Sequence, residues 1–472
     1  MQREAALFVD GVWRTGNSGK SADVIEAATE EVIETVVLGD EGDAAAAIMA
    51  ARRAFAGWSG TAMADRIALV EAANQLLKDD HELIATTISR EVGTPYKYSR
   101  AVQAQLAFTD VENTIAAAGQ FEWSRTIGNS LIEREPIGVV SAITPWNFPL
   151  HQVCAKVAPA LVTGCTVVLK PSQVAPLSAF MLADAFAKVG LPPGVFNVVF
   201  GAGVSVGRVM ASHPEVDLVS LTGSVRAGTA VMTNAAQGIK RVALELGGKS
   251  AMVVLPGAPL EEAVSRSVAN CFANNGQTCS AWTRLLVPAS QLAEVEEIVA
   301  AAVAAFVVGN PLDPANTLGP VVSKAQQDSV QNYIRIGIDE GARLIVGGPD
   351  TPAEFDRGYF VAPTVLSGVT PTMRVAREEI FGPVLVVLGY QDEADAVRMA
   401  NDSDFGLSGA VWGADDEQAL RVARQLRTGQ VSVNGGKFNP AAPFGGYKQS
   451  GIGRELGSFG LEEFLEIKAI HR

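Results

Sequence analysis

From Ile137 onward, short β-branched runs alternate with stretches of helical periodicity, and this alternation constrains the fold more than any other feature of the chain. Ile137–Ile143, Cys165–Leu169, Val195–Phe200, Asp217–Leu221 and Arg241–Leu246 read as strands. Between them, Leu150–Leu161, Pro176–Val189, Val204–Ala211 and Val225–Gln237 read as helices. A strand that returns through a helix lies parallel to its neighbour, and a parallel sheet is covered on both faces. The alternation resumes after Gly248, with strands at Ala251–Leu255 and Thr283–Val287 and helices at Leu260–Ala273 and Leu292–Phe306. Later strands are expected at Val384–Leu388, Gly409–Trp412 and Gln430–Val433. The chain therefore reads as α/β, with two units meeting near Gly247-Gly248.

The first stretch reads as mostly helical: Asp40–Trp58, Met63–Leu77, His81–Glu91 and a segment past Val102 to Ala118. Two segments fit neither unit. Trp123–Arg134 is polar and extended, and the tail Gly460–Arg472 alternates with period two. An extended tail is an exposed edge unless it pairs, and the pattern allows a partner subunit or the same chain.

Composition excludes several classes. The 472 residues carry a net charge of -14, so nucleic acid is not expected as a partner. A phosphate-bearing cofactor remains compatible, because a helix end or a lysine acts at short range. The four Cys show no regular spacing and the four His no zinc pattern, so neither a disulfide framework nor a metal is expected. The longest apolar run, Ile298–Val308, is short for a membrane span, and the start is acidic where a leader needs an apolar core. The expectation is a cytoplasmic protein away from membranes.

Cys279 has polar neighbours, Asn275, Gln277, Thr278 and Ser280, and lies in a loop with Gly276 as hinge, a setting for a nucleophile. Cys154, Cys165 and Cys271 are flanked by apolar residues and read as packing. Glu245 ends a strand before two glycines, where α/β proteins place ligands, or is a solvated strand end. Asn147 lies between Pro145 and Pro149, as a rigid donor or a turn former. Lys170 follows a strand, Gly203 and Gly207 belong to an irregular glycine triplet, and Ser224 opens a helix. Each is compatible with a phosphate or ribose and none is decisive alone.

In order along the chain stand TPWNFP (144–149), KPS (170–172), TGS (222–224), ELGGK (245–249), NNGQTCSAWTR (274–284), EEIFGPV (378–384) and PFGGYKQSGIGRE (443–455). Together these resemble the aldehyde dehydrogenase superfamily in its hydrolytic branch. The resemblance covers the whole chain. It implies two Rossmann-like α/β domains and a small β oligomerisation element. Residues 1–117 and 137–247 would bind the cofactor, 248–448 would be catalytic, and 118–136 with 449–472 would join subunits into a homodimer or homotetramer. By resemblance Cys279 is the nucleophile that forms a thiohemiacetal and then a thioester. Asn147 and the Cys279 N–H form the oxyanion hole, and Glu245 activates the hydrolytic water. Thr144, Trp146, Lys170, Ser172, Gln173, Gly203, Gly207, Ser224, Leu246, Glu379 and Phe381 fall on the cofactor side. Phe148, Gln152, Thr278, Ser280 and Phe438 fall on the substrate side.

Many NAD-preferring members carry Glu where this chain has Gln173. A neutral side chain removes the repulsion that a carboxylate exerts on a 2′-phosphate. NAD is the expected cofactor because no added Arg stands near Gln173, with NADP the alternative. Gln152 and Ala155 imply a wide, polar channel, and no Arg precedes Arg284 in the cysteine loop to anchor a second carboxylate. Medium or bulky uncharged aldehydes are the expected substrates.

Overall fold

The computed structural model describes residues 2, 3 and 5–472. Two large sheets organise the chain. The first runs Gly451–Ile452, Arg241–Glu245, Leu218–Thr222, Val139–Ile143, Thr166–Lys170, Phe196–Val198, Ala5–Val9 and Val12–Thr15. Its five central strands are parallel, with Leu221 beside Ile143, Ile143 beside Lys170 and Thr222 beside Glu245. The second runs Arg343–Val346, Thr364–Ser367, Val384–Tyr390, Arg284–Pro288, Ala251–Val254, Gly409–Trp412 and Ser432–Val433. It is parallel except at the Arg343–Val346 edge.

The second sheet shows why such strands read as unbroken apolar runs. Met252, Leu285, Leu385 and Ala410 enter one core, and Val253, Leu286, Val386 and Val411 enter the core on the other face. Burying each such Val or Leu contributes roughly 1.5–3 kcal/mol, and the buried polar residues of these strands, Arg284, Thr364 and Ser367, stand at their ends.

Sequence patterning marks no strand ahead of Asp40, where the structure has Ala5–Val9, Val12–Thr15, Ser21–Ile25 and Val32–Val37. The last two pair in a small separate sheet and are mostly half-buried, so their alternation is weak. Patterning also marks nothing between Phe306 and Val384. There the helix Lys324–Asp339 buries only a narrow stripe that includes two glutamines. The helix Glu41–Ser59 is legible because Asp40 and Asp43 form a reciprocal cap, with bonds of 2.9 and 3.0 Å.

The two orphan segments meet within the chain. Leu465–His471 pairs antiparallel with Ser130–Pro136, which pairs with Ser124–Ile127. Beyond Leu465 the side chains of the terminal strand are exposed. Among the described residues, no helix is long and apolar enough to cross a membrane.

Candidate active site

The site lies where the sheets face each other. The strand Arg241–Glu245 ends the first sheet's parallel run, and Ala251–Val254 begins the second after the short link Leu246–Ser250. The cysteine loop precedes Arg284–Pro288, so it sits at the amino end of the second sheet, against the carboxyl ends of the first. In the first sheet, Val139–Ile143 and Leu218–Thr222 are neighbours whose crossovers run in opposite directions, the switch point at which α/β sheets open a crevice.

The loop is rigid rather than hinged. Asn274, Asn275 and Gly276 have successive φ values of 54°, 58° and 73°. Left-handed backbone costs roughly 1–2 kcal/mol at a non-glycine residue, and buried hydrogen bonds offset it. Asn275 donates to the Gly93 and Pro320 carbonyls, both at 2.8 Å, and accepts from the Gly319 N–H. Asn274 donates to the Asn147 carbonyl at 2.9 Å and accepts from Gln103 at 2.8 Å. Gln277 accepts from the Val322 N–H at 2.8 Å. A Cβ on Gly276 would lie 2.1 Å from the Gly382 carbonyl carbon, so Gly276 is a clamp against that segment. The polar residues before Cys279 therefore face the interior, not solvent, where they fix the loop.

Asn147 is buried, and its Nδ2 donates to the Gln277 carbonyl at 3.1 Å, leaving its second amide hydrogen free for another acceptor. Cys279 is half-buried. Burial, then the charges of Glu379 and Glu245, push its thiol up to about 12 against the pull of the Ser280 and Cys279 N–H groups. Two glycines bring the parts together. A Cβ on Gly248 would lie 2.4 Å from the Cys279 carbonyl oxygen, and one on Gly247 would lie 2.3 Å from Glu379 Oε2. Glu379 Oε1 accepts the Gly248 N–H at 3.0 Å, and burial raises this carboxyl to about 7.

Glu245 is buried, and neither of its oxygens has a hydrogen-bond partner among the described residues. Burial and the nearby Glu455 hold its carboxyl well above the usual range, while Lys156 and Arg454 pull it down. Gly445, at φ 150°, leaves room for it: a Cβ there would lie 2.7 Å from Oε1. Lys156 forms a buried ion pair with Glu455 and donates to Thr222 Oγ1 at 2.7 Å. Sequence reasoning gave no role to Lys156 or Glu455. The available signal was a lone lysine inside an otherwise apolar helix, Pro149–Thr163.

On the other side of the loop, Trp146 and Phe381 meet edge to face with ring centres 5.3 Å apart. Phe381 has a φ of 59°, and its carbonyl is held by Gln326 at 2.8 Å. Lys170 is buried and donates to the Pro171 carbonyl at 3.0 Å; burial lowers its ammonium to about 8. Gly207 lies beside its stem, and Gly203–Gly207 form a π-helical turn. Ser172 Oγ accepts the Val174 N–H at 3.1 Å, and Gln173 beside it is half-buried. The Ser224 hydroxyl caps the helix Val225–Ala236 at 3.3 Å. Buried Leu246 packs on Gly228, and buried Thr144 has an unpartnered hydroxyl among the described residues.

Phe148 and Gln152 are buried at the start of the helix after Asn147, and Gln152 Oε1 is unpartnered among the described residues. Thr278 and Ser280 flank the thiol half-buried, and Phe438 is exposed against Phe444. Arg284 spends its donors on the Lys249, Met399 and Ala400 carbonyls, so it holds the scaffold.

Two parallel sheets joined at a buried cysteine loop mark the molecule as an α/β oxidoreductase. The chain belongs to the aldehyde dehydrogenase family, whose model matches residues 13–470. It is 48% identical over 465 residues to 3-succinoylsemialdehyde-pyridine dehydrogenase of a Pseudomonas species, covering 98% of each chain. Its structure matches a mutant of aldehyde dehydrogenase C from Pseudomonas syringae, solved with NAD+ and octanal. There the TM-score is 0.98 and the identity 46%, over 99% of this chain and 96% of that one. Betaine aldehyde dehydrogenase of Staphylococcus aureus, solved with NAD+, matches at TM-score 0.94 and 39% identity, over 99% and 94%.

Proposed function

We propose that this chain oxidises an uncharged aldehyde to its carboxylic acid with NAD+, through a covalent intermediate on Cys279 and hydrolysis by water activated at Glu245. The observation that carries this reading is the convergence of Cys279, Asn147 and Glu379 through Gly247 and Gly248, with Glu245 on the same link.

The residues present fit a nicotinamide dinucleotide. A buried lysine without a carboxylate partner among the described residues calls for polar oxygens, which ribose hydroxyls supply. The capped helix start at Ser224 suits a pyrophosphate, and the Glu379 carboxylate can accept hydrogen bonds from hydroxyls. Bound there, the nicotinamide supplies the hydride acceptor that turns a thiohemiacetal into a thioester.

The chain's own groups do the remaining work. Cys279 gives its proton to solvent, Sγ bonds to the aldehyde carbon, and the C=O π pair moves onto the oxygen, which takes up negative charge. The free Asn147 amide hydrogen and the Cys279 N–H are placed to hold that oxygen, a contribution of roughly 3–4 kcal/mol per donor in comparable sites. In the thioester, Glu245 takes a proton from water, the new C–O bond forms, and Sγ leaves as thiolate. An ionised Glu245 needs its raised carboxyl to release its proton, and the Lys156–Glu455 pair beside it sets how easily that happens. Its presence supports hydrolysis over transfer to coenzyme A.

Residues 1–117 with 137–247 are proposed to hold the cofactor, 248–448 to carry the chemistry, and 118–136 with 449–472 to join subunits into a dimer or tetramer in the cytoplasm. The exposed side chains of residues 466–471 support the last role. NAD+ in the related structures supports NAD over NADP. Octanal in the Pseudomonas syringae enzyme supports an uncharged substrate. An aldehyde panel run with each cofactor tests the proposal: Cys279→Ala should abolish turnover while NAD+ still binds. Full activity in that variant, or a strong NADP preference in the parent, contradicts it.

A further inference from the structure

The helix Pro149–Thr163 begins directly after Asn147 and is buried along its length except at one side chain, His151. His151 Nδ1 lies 2.5 Å from Asp110 Oδ2, and Asp110 is buried on the facing helix Gln105–Gln120. The Phe148 ring meets the imidazole edge to face at 5.9 Å. Asn147, Phe148, His151 and Gln152 therefore form one wall, with Asn147 tied to the cysteine loop at one end. His151 lies on the first turn of the helix, packed on Phe148, the residue next to Asn147. With Nδ1 committed to Asp110, Nε2 is the ring atom left for a ligand.

We propose that His151, oriented by Asp110, is a specificity residue that donates from Nε2 to a neutral acceptor oxygen or nitrogen on the substrate, away from the aldehyde carbon. The inference rests on the function proposed above and adds to it the class of substrate: an uncharged aldehyde with a distal ether, ketone or heteroaromatic acceptor. A neutral group is favoured over a carboxylate because Asp110 cancels the imidazolium charge and Glu455 lies near as well. Leaving a buried donor without its acceptor is what makes such a site selective.

The doublet predicts a pH signature. Burial alone would lower the His151 imidazole, but the charge and hydrogen bond of Asp110 outweigh it, helped by Glu455 and opposed by Lys156, so it is raised above 6.5. Below its pKa, Nε2 carries a proton and donates. Above it, the remaining proton stays on Nδ1 toward Asp110, and Nε2 becomes a lone pair that repels an ether oxygen.

The test compares 5-methoxypentanal with its isostere heptanal, each with NAD+, by the ratio of their kcat/KM values within each enzyme. The parent should favour the ether, and the ratio should fall about 5- to 20-fold in His151→Leu, consistent with loss of one hydrogen bond. His151→Gln, which keeps a donor, should recover part of the ratio. In the parent the ratio should decline as pH rises, with a midpoint above 6.5. An unchanged ratio in His151→Leu, or one flat with pH, overturns this inference alone. Turnover of neither aldehyde overturns the proposed function and this inference with it.

Discussion

Replacing Gly248 by Ala is expected to cripple turnover while the fold stands. The new Cβ would lie 2.4 Å from the Cys279 carbonyl oxygen, where ordinary contact begins at 3.4 Å. Something must yield by about 1 Å, and the opposing atom belongs to the backbone that carries the nucleophile. A displacement of that size costs on the order of 100-fold in rate, or about 2.7 kcal/mol at about 1.36 kcal/mol per decade. Gly247→Ala is the contrast. Its Cβ would meet Glu379 Oε2 at 2.3 Å, the tip of a side chain that can swing aside. That variant should raise KM for NAD+ more than it lowers kcat. The assay is steady-state reduction of NAD+ with one saturating aldehyde, alongside the rate of Cys279 alkylation and the Tm. A Gly248→Ala enzyme with parental kcat/KM would refute the claim that this glycine seats the thiol. A larger kcat loss in Gly247→Ala than in Gly248→Ala would invert the assignment.

Asn147→Ala should lower kcat by roughly 100- to 1000-fold with a small change in aldehyde KM, as for other single oxyanion donors; a KM effect alone contradicts that role. Lys156→Met removes a charge that pulls the Glu245 carboxyl down, so the rise of thioester hydrolysis with pH should move to higher pH. An unmoved profile by single-turnover acid quench would exclude Lys156 from setting that proton. Burial raises the Glu91 carboxyl from 4.5 to about 8, so folding takes up a proton and stability falls as pH rises between those values. Glu91→Gln should remove this slope, with a gain of a few kcal/mol at pH 8 and none below pH 4.5 by urea melts; equal midpoints at both pH values contradict it.

The βαβ rhythm was legible because parallel strands buried on both faces are mostly apolar, as Met252 and Val253 show by entering opposite cores. Cys279, Asn147, Glu245 and Glu379 were legible because each lies in a short local motif. What escaped depends on long-range pairing. Lys156 meets Glu455 across 299 positions, and nothing local joins a lone lysine in one helix to the last residue of a distant motif. Asp110 reads as an ordinary helical acid until the fold sets it on His151. The polar run Asn274-Asn275-Gly276-Gln277 read as a loop hinged at Gly276 because its partners, Gly93, Gln103, Pro320 and Val322, are distant in sequence. Ser21–Ile25 and Val32–Val37 were lost for the opposite reason: half-buried strands of a small sheet impose little pattern.

The central claim is that Cys279 carries the acyl group and Glu245 releases it. Intact-mass measurement of Glu245→Gln after mixing with NAD+ and heptanal tests it most directly. The account predicts one equivalent of reduced cofactor per chain, followed by near arrest. It also predicts a stable mass increase equal to the heptanoyl group, mapped to Cys279 and absent from the Cys279→Ala double variant. Sustained parental turnover without an adduct, or an adduct on Cys154, Cys165 or Cys271, would contradict it.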